Sequence, residues 1–250
     1  MTIPSTLRAW TALARNDLRG TYRDPLLVGL VMAPVIWTTG TALVVPRLTG
    51  TVAVRYNFDL VPYYPLAITA LLLLTSIIVT GGLAAFLVLD EMDAGTLTAL
   101  RATPVSLTTF LGYRATCVVF VTTVYVVTTM HFSGLLSPGL LPALIPIGMV
   151  AGLSAVVTLL LIVAVASNKI QGIAMVRLLG IIIAGMPCIG WFVDSGWNLA
   201  FGVLPPYWAA KAFWVADSHG IWWPYLLGGV IYNLAVAWPL VQRFVSKHTA

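Results

Sequence analysis

Ala115–Asn168 reads ATCVVFVTTVYVVTTMHFSGLLSPGLLPALIPIGMVAGLSAVVTLLLIVAVASN, 54 residues without one charged side chain. A helix crossing the hydrocarbon core needs about 20 apolar residues, so this stretch is long enough to cross twice. The break falls at His131-Phe132-Ser133-Gly134 and Ser137-Pro138-Gly139, because Gly and Pro form turns. Outward from it, Pro25 to Pro46, Leu60 to Leu89 and Gly220 to Gln242 are also uncharged. Of the 250 residues, 60% are hydrophobic and 8% are charged, against about 25% charged in soluble domains. Mean hydropathy is +0.97. These values exclude an ordinary soluble enzyme, a disordered chain and a nucleic-acid-binding domain. Most of the chain is solvated by lipid.

The region 171–219 is less regular. Leu178 to Val193 is uncharged for 16 residues, about 24 Å of helix. It spans if Arg177 snorkels at its inner end. Ser195 to Ala210 is again uncharged, but Pro205-Pro206 forbids a continuous helix there. The expected spans are 25–46, 64–89, 107–130, 140–167, 174–194 and 221–242. Segment 195–218 is expected to dip into the outer half of the membrane and return, with a plain external loop as the alternative. A re-entrant segment must be sheltered by protein, since lipid cannot satisfy its broken backbone bonds. The fold class expected is therefore all-α integral membrane. It has six transmembrane helices, an N-terminal interfacial amphipathic helix and a re-entrant helical hairpin before the last span.

Charge sets the orientation. With the amino terminus inside, ten basic residues are inner: Arg8, Arg15, Arg19, Arg23, Arg101, Arg114, Lys169, Arg177, Arg243 and Lys247. Three are outer: Arg47, Arg55 and Lys211. This positive-inside bias predicts that both termini are cytoplasmic, and the plasma membrane is the expected location. It also accounts for the net charge of +5 without a nucleic-acid partner. Six of the nine Trp lie in the outer part of the last third, between Trp191 and Trp223. They fit an outer aromatic belt, with a substrate-binding cluster as the alternative. Cys117 and Cys188 have no CxxC or His neighbour and form no metal site or disulfide framework.

Residues 5–23 lack the continuous apolar core of a signal peptide. On a helical wheel Arg8, Arg15 and Arg19 share one face, and Leu7, Trp10, Ala14 and Leu18 another. This pattern predicts an interfacial helix, basic side toward anionic lipid. Asp17 lies on the Trp10 side and reads as exposed, with a buried cap or partner contact as the alternative.

The loop after the second span begins Asp90-Glu91-Met92-Asp93-Ala94-Gly95-Thr96-Leu97. Three acids in four residues sit where topology gives acids no role. Gly95 permits a turn, Thr96 can cap a short helix, and Pro104 restricts Thr103 and stops it. The bland alternative is a capped connector. The pattern Glu91-x-x-x-Gly95-Thr96-Leu97-x-x-Leu100-x-x-Thr103-Pro104 resembles the signature of the ABC-2 type permeases, the membrane subunits of a class of ABC exporters. The resemblance extends to the interfacial helix, the six spans and Leu204-Pro205-Pro206-Tyr207-Trp208 before the last span.

The resemblance implies that 96–103 is a coupling helix seated in a cytoplasmic ATPase. The coupling candidates are Glu91, Asp93, Gly95, Thr96, Leu97, Leu100, Arg101 and Thr103. Glu91 is expected to brace that helix or the interfacial helix, whose candidates are Arg8, Trp10, Arg15 and Arg19. The chain has no Gly-Lys pair and so no Walker A loop. It is expected to bind no cofactor; ATP and magnesium belong to separate ABC ATPase subunits, two copies expected. Six spans are half of the usual assembly, which implies a second permease copy or a paralogue.

Arg114, inside the third span, is expected to snorkel or to pair with Asp90 or Glu91; a role in function is the alternative. Arg177 reads as snorkelling. No acid lies at mid-membrane, so a proton-driven carrier lacks its relay. A hydrolase is disfavoured, since Gly152-Leu153-Ser154-Ala155 lacks the second Gly of a G-x-S-G turn. An ATP-independent carrier or a structural membrane subunit is the remaining rival. Thr80-Gly81-Gly82 and Gly148 to Gly152 suit either close helix packing or sliding. The candidates for the substrate path are Trp37, Tyr63, Tyr64, Phe86 and Met186. Their apolar and aromatic character points to small amphipathic compounds such as drugs or antibiotics. Lipids or other hydrophobic metabolites are the alternative.

Overall fold

The structure is a computed structural model that describes residues 5–95, 107–193 and 196–249. The coupling helix expected at 96–103 lies outside the described residues. Helix α1 covers Ser5–Arg23. Asp24 leaves the helix in extended geometry (φ −105°, ψ 113°), and its carboxylate accepts the Leu26 N–H at 2.8 Å. Pro25 then starts the next helix at a position where its missing N–H costs nothing. The chain bends here into α2, Pro25–Tyr56.

Helix α2 does not stop near Pro46. Pro46 is carried in the helix interior, and the helix ends only at Asn57, at φ 51°, a left-handed conformation that Asn tolerates. Helix α3 covers Val61–Asp93. It opens with a 3-10 turn at Val61–Tyr63 and contains a π turn at Thr69–Leu73. Then follow α4 (Leu107–Phe132), α5 (Leu141–Val165) and α6 (Lys169–Phe192). Helix α6 begins five residues earlier than expected. Asn168 accepts the Gln171 N–H at 3.0 Å, and Gln171 accepts the Ser167 N–H at 2.8 Å. This reciprocal cap lets the helix start at Lys169. Helix α7 is Tyr207–Asp217 and α8 is Trp223–Thr249.

All regular elements among the described residues are helical, and six are long and apolar enough to cross a membrane. This is a multi-pass membrane protein. Helices α3 and α5 form the centre, with 72% and 78% of their most apolar windows buried; the figures for α2, α6 and α8 are 11%, 17% and 11%. Glycines set the central spacing. A Cβ on Gly152 would stand 2.6 Å from Val119 Cα, and one on Gly148 3.0 Å from Thr123 Cα. One on Gly81 would meet the Ala155 carbonyl oxygen at 2.8 Å. These small residues are in close packing contact here.

Before α8, a 3-10 segment (Gly196–Val203) turns at Pro205-Pro206 into α7. The broken backbone is met by side chains. Trp208 Nε1 donates to the Gly202 carbonyl at 2.9 Å and the Tyr232 hydroxyl to Val203 at 2.6 Å. Ser154 Oγ donates to Pro205 at 3.1 Å. Ser154 lies about 20 Å along α5 from Leu141, at 1.5 Å per residue. The turn therefore sits deep in the bundle, sheltered by protein as irregular backbone at that depth must be. Farther along α7, Trp214 Nε1 donates to Thr69 Oγ1 at 2.7 Å, which ties the hairpin to the π turn of α3.

Gly152→Ala forces α4 and α5 apart and is expected to cost about 1–3 kcal/mol, as overpacking does. Gly112→Ala, with nothing within 4 Å of its added Cβ, is expected to be neutral or stabilising. Thermal unfolding of both variants in detergent checks this; equal melting temperatures would remove the packing argument.

Candidate functional site

At the end of the bundle that carries the acidic loop, a cation from α4 bridges two other elements. Arg114 is 3% exposed. Its Nη1 donates to Asp17 Oδ2 of α1 at 2.6 Å and its Nη2 to Glu91 Oε1 of α3 at 2.8 Å. The Tyr113 hydroxyl donates to the same Asp17 oxygen at 2.8 Å. The guanidinium lies over the rings of Phe110 and Tyr113, at 5.3 and 5.8 Å from their centroids. Trp10 of α1 meets Tyr113 edge-on, with centroids 5.9 Å apart. An arginine this deeply buried is held only where carboxylates and hydrogen bonds surround it.

A second cation repeats the arrangement. Lys169, at the start of α6, donates from Nζ to Asp24 and, at 2.8 Å, to Asp90 Oδ2. Its backbone N–H points at Asp93 Oδ2 at 3.4 Å. The ammonium beside Asp24 holds that carboxyl below the usual carboxylate range. Each cation thus joins one carboxylate from α1 or its elbow to one from the last turns of α3. Asp17 and Glu91 go to Arg114; Asp24 and Asp90 go to Lys169.

Of the two partners expected for Arg114, the structure selects one. Arg114 takes Glu91, but Asp90 belongs to Lys169. Asp17 is not an exposed residue; it is a partner of Arg114. Composition did contain a signal: an arginine inside a span needs counter-charge within reach, and Asp17 lies on the Trp10 face of the helix that could supply it. Lys169 was visible only as an inner-side charge.

Of the coupling candidates, Glu91 is buried in this cluster and Asp93 is exposed. Gly95 ends α3 at φ 68°, a conformation costly to other residues. Thr96, Leu97, Leu100, Arg101 and Thr103 lie outside the described residues. On α1, Trp10 is half-buried against Tyr113, while Arg15 and Arg19 are exposed; the side chain of Arg8 is outside the description.

The five substrate-path candidates are not brought to one place. Trp37 borders a small recess with Pro34, Leu71 and Thr75. Phe86 is buried against Gly172, and the Tyr64 hydroxyl donates to Thr49. Tyr63 and Met186 face outward. None of them lines the cavity of about 290 Å³ that lies between α1, α3 and α4, beside the Arg114 cluster. Ser154, at the near-miss of a hydrolase motif, spends its hydroxyl on the Val150 and Pro205 carbonyls.

Residues 17–241 match the family described as fluoroquinolones export permease protein Rv2686c-like. Two relatives from Mycobacterium tuberculosis strains, named fluoroquinolones export permease protein MT2760 and fluoroquinolones export permease protein Rv2686c, are each 71% identical over 241 residues. In both cases the match covers 96% of this chain and 96% of the relative. No solved structure matches the chain.

Removing the guanidinium strands two buried carboxylates, so Arg114→Ala is expected to cost about 3–5 kcal/mol. Replacing the three charges together, with Arg114→Met, Asp17→Leu and Glu91→Leu, is expected to recover most of that loss. Thermal unfolding in detergent measures both. A triple variant no more stable than Arg114→Ala would contradict the burial argument.

Proposed function

The chain belongs to the Rv2686c-like fluoroquinolones export permease family, and on that footing we propose that it is the membrane subunit of an ATP-driven exporter of small amphipathic drugs, fluoroquinolones included. The cargo follows from relatives that are 71% identical and so named. The ATP-driven part follows from the ABC-2 type resemblance of the Glu91–Pro104 loop. ATP and magnesium are bound by two cytoplasmic ATPase subunits. A second permease copy or a paralogue completes the transporter in the plasma membrane, with both termini cytoplasmic.

One observation carries the coupling mechanism: Asp17 of the interfacial helix and Glu91 of α3 are held by a single guanidinium. A push on the loop that follows Gly95 reaches Glu91 through the last turn of α3. Arg114 passes it to α1 and α4, and Lys169 passes it to the α1–α2 elbow and α6. Helices α1, α3, α4 and α6 then respond as one lever when the ATPases close. Alternating access follows when that lever shifts against the second copy. The exposed flanks of α2, α6 and α8 face lipid and the second copy.

Gly95→Pro is the sharpest test of coupling, because proline fixes φ near −65° and the site stands at φ 68°. Cells expressing the permease and its ATPase are expected to accumulate less fluoroquinolone than cells lacking them. Gly95→Pro, with the protein still inserted, is expected to restore accumulation to the level of the empty strain. Glu91→Gln, which keeps the side-chain volume and removes the charge, is expected to lower export in the same assay. Unchanged export in both variants refutes the coupling role, and accumulation that ignores the wild-type transporter refutes the cargo.

A further inference from the structure

A second cavity, of about 280 Å³, opens between α2 and α4. Thr39, on its wall, stands about 21 Å along α2 from Pro25, and Thr128 about 6 Å from the end of α4 at Phe132. The groove therefore lies in the half of the bundle away from the Arg114 cluster. Its rim is exposed at Val35 and Phe132, so it opens sideways, toward lipid. Its floor is Pro34 and Thr129, both buried. Pro34 has no N–H for the Leu30 carbonyl, and the Tyr125 hydroxyl reaches across from α4 to donate to the Val31 carbonyl at 3.2 Å.

Five of the nine lining residues carry a hydroxyl, which is costly in a wall that meets hydrocarbon. The hydrogens of these groups are already used. Thr38 donates to the Pro34 carbonyl at 2.7 Å and Thr39 to Val35 at 2.8 Å. Thr128 donates to Val124 at 2.7 Å and Thr129 to Tyr125 at 2.6 Å. The oxygens of Thr39 and Thr128, both exposed residues, keep lone pairs that no donor among the described residues fills. The groove can accept hydrogen bonds but has no free hydrogen to give.

It also carries no charge: every lining residue is neutral. Along α2 the first charge is Arg47, about 12 Å beyond Thr39, and on α4 it is Arg114, about 16 Å before Tyr125. His131, at the exposed end of α4 beside Phe132, is outside the lining. A charged ligand would lose its hydration here and gain no counter-charge. A neutral aromatic one meets the rings of Tyr125 and Phe132 and finds hydroxyl oxygens for an N–H or O–H.

We propose that this groove is a binding site for uncharged aromatic amphiphiles that carry a hydrogen-bond donor, with the ring system between α2 and α4 and the donor on Thr39 or Thr128. The proposal deepens the export reading and rests on it: it places the neutral form of a fluoroquinolone on a single chain, away from the motor-facing loop. Pro34 and Thr129 also border the small recess that leads past Trp37 to Leu72 and Thr75 of α3. A bound ring therefore stands next to the π turn of α3.

The probes are norfloxacin, whose neutral form has a piperazine N–H, and pefloxacin, the same molecule with that nitrogen methylated. A third, the N,N-dimethylpiperazinium derivative, is permanently charged. Binding to the full-length protein in lipid nanodiscs, in excess of that to empty nanodiscs, is measured by equilibrium dialysis. Thr39→Val with Thr128→Val keeps the shape of the wall and removes both oxygens. It is expected to weaken norfloxacin about fivefold, the worth of one ordinary hydrogen bond, and to leave pefloxacin unchanged. Val35→Trp, at the mouth, is expected to weaken both. Thr116→Val, an exposed threonine of α4 outside the groove that donates to Gly112, is expected to change neither. The piperazinium derivative is expected not to bind.

An equal loss for norfloxacin and pefloxacin in the double variant, or no loss for either, overturns donor recognition in this groove. Tight binding of the piperazinium derivative overturns the uncharged site. No binding beyond that of empty nanodiscs overturns the site and leaves the groove to lipid. Any of these in a protein that still lowers fluoroquinolone accumulation in cells leaves the export reading standing. The expected pattern in a protein that exports nothing supports the site and counts against the export reading alone.

Discussion

The inner end of this protein depends on how a guanidinium can be kept out of water. Arg114 sits in a span and is almost wholly buried. Leaving it unpaired there would cost several kcal/mol, so carboxylates must come to it, and they come from different parts of the chain. Asp17 is 97 residues away in sequence and Glu91 is 23 away. The requirement of one side chain therefore fixes the position of α1 against the bundle and the phase of the last turn of α3. Tyr113 and Trp10 close the same corner with ring contacts, which exclude water and strengthen the charges they cover. Lys169 repeats the logic at lower burial and draws in the elbow and α6. Two cations do what a longer hydrophobic contact between these elements would otherwise have to do.

The hairpin before α8 solves a different problem. Two adjacent prolines deep in the bundle leave carbonyls that no helix satisfies, and in lipid each would be costly. Here the answer is local: Gly202, Val203 and Pro205 each receive a donor from Trp208, Tyr232 or Ser154. Two of those donors are on α5 and α8, so the hairpin is fastened to the helices that shelter it. The aromatic residues gathered in the last third thus act partly as hydrogen-bond donors to broken backbone. A belt at the membrane surface accounts for fewer of them than their distribution along the chain implies.

Much of this architecture was legible in the sequence because lipid imposes simple rules. Uncharged runs locate the spans, the 3.6-residue recurrence of arginine in the first twenty residues locates α1, and Pro205-Pro206 locates the hairpin. Helix ends were less legible. The start of α6 depends on an Asn168–Gln171 cap inside what looked like a loop, and α2 carries both Pro34 and Pro46 in its interior, as a helix in a bundle does where neighbours and Ser/Thr side chains meet the freed backbone groups. The candidate site was legible only by half. Glu91 stood out as an acid without a topological purpose, and Arg114 as an intramembrane charge that snorkels or pairs with Asp90 or Glu91. Their meeting with Asp17, and the diversion of Asp90 to Lys169, are set by the rotation of three helices about their axes, which no local pattern encodes. The five aromatic and apolar residues chosen for a substrate path were chosen by type alone, and type does not bring residues to a common cavity.

The π turn at Thr69–Leu73 gives α3 a property that an uninterrupted helix lacks. An ideal helix is a single screw: fixing the angular setting of one end fixes the other, at 100° for every residue between. Here the two ends answer to unrelated demands. The upstream end is tied to α2 by Tyr64, which donates to Thr49, and Trp214 of the hairpin holds the turn at its first residue, Thr69. The downstream half must aim Gly81 at the Ala155 carbonyl and Glu91 at Arg114. The wide turn between them acts as a joint in a drive shaft. It absorbs the angular mismatch in five residues, so that the hairpin end and the charged end can each be cut to fit their own surroundings.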